Sequence, residues 1–109
     1  MAKYLIEAAY SLEGLKGLAK EGGTGRRAAV DAAAKSMGGH VDALYWGFGT
    51  DDIYAIIEAP DNVSAAALAL AIGATGALAH YKTTVLLTAA DIDQAAKKSA
   101  GVGYRPPGH

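Results

Sequence analysis

The polar residues that interrupt apolar runs mark where chemistry could sit in this 109-residue chain. The most distinctive stretch is Glu21-Gly22-Gly23-Thr24-Gly25-Arg26-Arg27. A glycine-rich turn that opens a helix presents free N–H groups, and the helix dipole there favours an anion. Gly23, Thr24, Gly25 and Arg26 are therefore the candidate ligand-binding residues. Arg26 adds a planar donor fork suited to a carboxylate or phosphate. The spacing Gly23-x-Gly25-x-x-Ala28 formally matches a dinucleotide fingerprint, but that motif needs a preceding strand, and residues 12–19 have helical periodicity. Arg26 is in helical register with Ala29, Val30, Ala33, Ala34 and Met37, at one end of an apolar stripe. Arg27 stands four residues before Asp31 and can pair with it across one turn. The structural alternative for Arg26 is an ion pair with Glu7 or Glu58.

A second set of polar groups interrupts strand-like sequence: Glu7, Glu58, His80 and Lys82. Residues two apart share a sheet face, so His80 and Lys82 lie together, with Tyr81 and Thr83 on the opposite side. By the same rule Tyr54, Ile56 and Glu58 share one face. A histidine with carboxylates nearby suits general acid–base work, and His80, Tyr54 and Glu58 are the candidate catalytic residues. Structural ion pairs within the sheet are the competing reading. His40, His80 and His109 show no ligand spacing, so no metal is expected, and no cofactor is implied. Tyr45, Trp46 and Phe48 cluster as core or subunit packing, or as a hydrophobic ligand wall. No Ser-His-Asp order, Walker loop or paired-carboxylate motif stands out.

The elements that must position these groups follow from periodicity and punctuation. Residues 3–10 read as a strand, and Ser11 as the cap of a helix with Leu12, Leu15, Leu18 and Ala19 on its apolar side. Residues 22–25 interrupt that helix, which resumes at Arg26 and stops at Gly38-Gly39. Residues 40–48 and 53–59 form strands joined by the short turn 49–52, hence an antiparallel hairpin. Asp61 caps a second helix to about Ile72. A fourth strand spans residues 78–87, and Thr88-Ala89-Ala90-Asp91 opens a last helix ending near Ser99. The order is β-α-β-β-α-β plus a helix, an α+β ferredoxin-like arrangement with an antiparallel four-stranded sheet. Residues 1–100 make the domain, and residues 101–109 a Gly/Pro-rich tail.

Composition bounds the function. Half the chain (51%) is hydrophobic and the net charge is −1, which excludes a disordered tail. With 10 basic against 11 acidic residues, a nucleic-acid partner is not expected. There is no cysteine, so no disulfide, zinc-thiolate site or thiol nucleophile. Strand-like sequence with Glu7 begins at once, so no secretory signal is read, and a cytoplasmic protein fits. The uncharged stretch 62–79 is broken by Gly73 and makes a poor membrane span, so no membrane partner is expected. Much of the apolar content is alanine, which buries little area per residue and points to a homo-oligomer.

The run Gly49-Thr50-Asp51-Asp52-Ile53-Tyr54-Ala55-Ile56-Ile57-Glu58-Ala59-Pro60-Asp61, the Ala-rich helix after it, and Thr83-Thr84-Val85-Leu86-Leu87-Thr88 resemble the GYD-domain family. Gly49 and Asp52 fit its signature, with Asp51 where the tyrosine is usual. The resemblance implies a fold similar to the dimeric α/β-barrel proteins, in which two ferredoxin-like sheets face each other. Relatives at that level include cofactor-independent monooxygenases, small isomerases and plain ligand-binding domains. The expected function is an oligomeric small-molecule-binding protein taking an anionic ligand near the Gly-rich loop. The alternatives are a cofactor-independent enzyme and a structural assembly subunit without a pocket. The tail, with Tyr104 and Arg105 beside Pro106-Pro107, is expected to lie across a neighbouring subunit.

Overall fold

The computed structural model describes residues 1–109. In chain order its elements are β1 (Ala2–Tyr10), α1 (Leu12–Ser36), β2 (His40–Trp46), β3 (Ile53–Ala59), α2 (Asn62–Gly73), β4 (Leu78–Leu86) and α3 (Ala89–Ser99). The strands form one antiparallel sheet in the order β2-β3-β1-β4. This is the ferredoxin-like α+β arrangement that the element order implies. Ser11, Asp61 and Thr88 cap the three helices by accepting hydrogen bonds from backbone N–H groups, and Thr88 with Asp91 completes a capping box.

Strand parity divides the sheet into two faces. Tyr4, Ile6 and Ala8 of β1 and Ala55, Ile57 and Ala59 of β3 are buried on the helix side. All of these except Ala8 form one core cluster with Leu44 of β2 and Ala65 and Leu68 of α2. The alternate residues, among them Leu5, Glu7, Tyr54, Ile56 and Glu58, lie on the face with no helix over it. α1 packs over β2, β3 and β1, and α2 over β4 and β3, but the two helices have few contacts with each other. They are held apart above the middle of the sheet, and a cavity opens between them.

Two local readings are corrected. The interruption of α1 is confined to Gly22, whose φ of 84° lies in the left-handed region that favours glycine. Gly23, Thr24 and Gly25 are already the first turn of the second half of the helix, so it restarts before Arg26. One glycine with positive φ is enough to break the helix, and the other two tolerate helical geometry. The second strand ends at Trp46, two residues short of Phe48, which is fully exposed. Gly47 donates its N–H to the Asp52 carbonyl at 2.9 Å and closes a loop rather than continuing the ladder. Asp52 pins that loop to β1: its N–H reaches the Ala8 carbonyl at 2.8 Å, and its carboxylate accepts from the Tyr10 N–H at 2.9 Å.

Candidate functional site

The cavity between the helix layer and the sheet has a volume of about 270 Å³, and 18 of its 21 lining residues are hydrophobic. Ile6, Ala55 and Ile57 form its floor, and Val30, Ala33 and Ile72 its helical walls. Close-packed interiors have few voids larger than a water molecule, so an apolar space of this size in a small domain is unusual. Its volume arises from alanines where a larger residue would close the gap. Trp46 lies on its wall and donates its indole N–H to the Tyr10 hydroxyl at 3.1 Å. Both residues are on the sheet.

Arg26 is the only charged residue lining this space. It is half-buried, at the end of the α1 stripe that also contributes Ala29, Val30, Ala33 and Met37. The kink at Gly22 sets its position by redirecting the helix just before it. Gly23 comes over the Trp46 ring, where an added Cβ would stand 3.7 Å from the nearest ring carbon. Of the proposed ligand residues, the structure thus puts Arg26 in the cavity wall and Gly23 beside Trp46. Thr24 and Gly25 lie in the intervening turn.

The carboxylate facing Arg26 is Glu21, at 3.3 Å, rather than Glu7 or Glu58. Glu21 folds back across Gly25, where an added Cβ would meet its side chain at 2.8 Å. An anionic group therefore already rests beside the restarted helix. Both partners are about 40% exposed, and such surface pairs contribute about 0–1 kcal/mol, so an external anion can displace this one cheaply. Sequence reasoning missed Glu21 because it assumed a longer break that would carry this residue away. Arg27 pairs with Asp31 at 3.2 Å, as its spacing implies.

His80, Tyr54 and Glu58 share the open face but not one site. His80 stands opposite Ala9 on β1, and Lys3, six residues away along β1, stands opposite Glu58. That separation is about 20 Å at the rise of an extended strand. His80 meets Asp51 from the β2–β3 loop. Tyr54 stands opposite Glu7 and Tyr45, and Glu7 lies 3.7 Å from Lys82. None of these side chains lines the cavity.

Glu58 belongs instead to a cluster that spacing alone did not show. His40 Nε2 lies 2.6 Å from Glu58 and 3.0 Å from Asp42, and Lys3 contacts both carboxylates. The ligand atoms of His40, Asp42 and Glu58 all fall within 4.8 Å of one another, as cation ligands would. The Lys3 ammonium already supplies positive charge there. A register shift between Val41 and Ala43 brings Asp42 into this group, and such bulges are not visible in strand alternation.

Two pH responses follow. The hydrogen bond from Lys3 holds the Asp42 carboxyl below its ordinary 3.8, against a smaller opposing effect of burial. Its contribution to stability is thus complete above the ordinary value and is lost as pH falls through the lowered one. Carboxyl NMR should show Asp42 still ionised where ordinary aspartates are half protonated, and Lys3→Met should abolish the difference. Burial pushes the Tyr81 phenol up to about 12, with the Thr83 hydroxyl opposing it. Stability from neutral Tyr81 is complete below its ordinary 10.0 and is lost as pH rises through about 12. An ultraviolet titration should show a phenol ionising well above the ordinary tyrosine range, and Tyr81→Phe should remove that late step.

The GYD domain family model matches residues 4–96. The chain belongs to the GYD domain family. No curated protein and no solved structure matches it. The matched span of this GYD domain runs from β1 into α3 and so includes the cavity, Arg26 and the open-face clusters. No helix is long and apolar enough to cross a membrane.

Proposed function

We propose that this GYD-domain protein is an oligomeric small-molecule-binding protein whose ligand pairs an apolar body with an anionic group. The observation that carries the reading is the apolar cavity with Arg26 as its single charged lining residue. An engineered apolar cavity of about 150 Å³ takes up benzene, so about 270 Å³ suits a two-ring or short acyl body. Arg26 supplies the anchor for a carboxylate or phosphate, and the exposed Glu21 gives way to it. The oligomeric part of the reading draws on the open sheet face. There Leu5, Tyr45, Tyr54 and Ile56 lie among charges already paired with one another. A binding role ranks above the catalytic alternative because His80, Tyr54 and Glu58 are all outside the cavity.

Trp46 is the only tryptophan and lines the cavity, so its emission reports occupancy. Titration with naphthoate should change that emission saturably, and neutral naphthylmethanol should bind more weakly. Loss of a charge-assisted hydrogen bond costs about 1.5–3 kcal/mol, so Arg26→Ala should weaken naphthoate binding at least about tenfold. Arg26→Lys should recover only part of that, and Glu21→Gln should tighten binding by removing the internal competitor. Equal affinity for the charged and neutral probes, unchanged by all three substitutions, would remove Arg26 from the site.

A further inference from the structure

We propose that α3 is an exchanged arm, which docks in the groove between α2 and β4 of a second copy of this chain. The proposal rests on the oligomeric reading above and adds a contact between copies distinct from the open sheet face. Every residue from Leu87 to His109 is exposed, and α3 buries no side chain. Yet α3 is a capped, amphipathic helix. Ile92, Ala95, Ala96 and Ser99 share one side, while Asp91, Gln94 and Lys98 lie on the other. Ile92, like Leu87, Val102 and Tyr104, keeps more than half of its surface in water. A helix of 11 residues is marginal in isolation and ordinarily depends on packing of its apolar side.

The size of the uncovered surface argues for a second copy rather than a small ligand. The chain exposes 7235 Å², whereas a compact monomer of 11.1 kDa exposes about 5,700 Å². The excess of about 1,600 Å² is twice what one partner contributes to a standard-sized interface and fits an obligate one. Shape agrees: the radius of gyration is 17.2 Å, against about 13 Å for a compact chain of this length.

The acceptor lies beside the arm's own root. An open groove of about 680 Å³ runs between α2 and the edge strand β4, with Ala66, Ala69, Leu70, Tyr81 and Val85 on its walls. Leu70 and Val85 are exposed there. The small alanines let a helix approach closely, and the flanking Leu70 and Val85 meet its apolar side in the manner of helix-in-groove recognition. Only Leu87 and Thr88 separate β4 from α3. Two copies can therefore exchange arms about a twofold axis, each arm filling the groove beside the other's root.

The test uses the absence of cysteine from the full-length chain. Single variants Ile92→Cys and Ala66→Cys are mixed and oxidised, and the wild type and Ile92→Lys are compared by sedimentation. The expected result is a covalent dimer containing one chain of each variant, with dimer dissociation at least about tenfold easier for Ile92→Lys. Circular dichroism should show Ile92→Lys folded, since Ile92 is exposed in the single chain. A dimeric wild type with no mixed cross-link and an unaffected Ile92→Lys variant would overturn the arm and leave the oligomeric reading standing. A chain carrying both Ile92→Cys and Ala66→Cys is oxidised in parallel, and a bond formed only within that one chain would also overturn the proposal, by folding the arm onto its own groove. A wild type that is monomeric at every attainable concentration would overturn both.

Discussion

Replacing Gly39 by alanine is expected to destabilise the protein by about 3 kcal/mol, at the upper end of what overpacking costs. A Cβ on Gly39 would lie 1.9 Å from the Glu58 carbonyl oxygen and 3.0 Å from its carbon. Backbone cannot rotate aside as a side-chain tip can, so the start of β2 would have to separate from β3. Domains of this kind hold about 5–15 kcal/mol in total, so the loss is a large share. The same displacement would pull His40 away from Glu58 and dissolve the cluster around Lys3. Gly38→Ala is the comparison. Its φ of 79° is left-handed and costs a side chain about 1–2 kcal/mol, with the Pro60 ring 3.3 Å from the added carbon. Gly49→Ala, with nothing within 4 Å, should change stability by less than about 0.5 kcal/mol. Urea unfolding of the three variants should give that order, and equal midpoints for Gly39→Ala and Gly49→Ala would contradict the close approach.

These two neighbouring glycines show what sequence carries and what it does not. Gly38-Gly39 reads as a helix stop, and Gly38 does adopt the left-handed turn that ends α1. The demand on Gly39 comes from a carbonyl nineteen residues further along the chain, and no local pattern encodes it. The same division holds at the site. Period-two alternation is local, so the pairing of His80 with Lys82 on one face, and of Tyr54 with Glu58 on one face, is legible from the residues; that both sets share a face with Glu7 follows only from the register. Register is not local: the meeting of His40 with Glu58 depends on the bulge in β2. Arg26 could be placed on the apolar stripe of its helix from spacing alone. Its facing Glu21 depends on how far the backbone departs from helix at Gly22, which four candidate residues left open. The cavity was the least legible feature, because it depends on the distance between two helices that scarcely touch. For α3 the sequence indicates the helix and its cap, but an amphipathic stripe does not say whether its partner is in the same chain.

Filling the cavity should abolish ligand binding while leaving the fold intact, and this separates the space from the charge at its edge. Ala33 packs against the core cluster from α1 and lines the cavity, so Ala33→Phe projects a ring into existing space. The ring gains dispersion contacts that the void denies to its lining, which offsets the ordinary cost of enlarging a core residue. The melting temperature should therefore hold or rise. Binding of naphthoate should fall about 100-fold, corresponding to about 2.8 kcal/mol. Naphthylmethanol should lose affinity to the same degree, because steric exclusion does not distinguish charge. Arg26→Ala should behave otherwise, penalising naphthoate and sparing the neutral probe. If Ala33→Phe leaves both affinities unchanged while Arg26→Ala weakens only naphthoate, the anion binds at the helix restart alone and the cavity has no part in recognition.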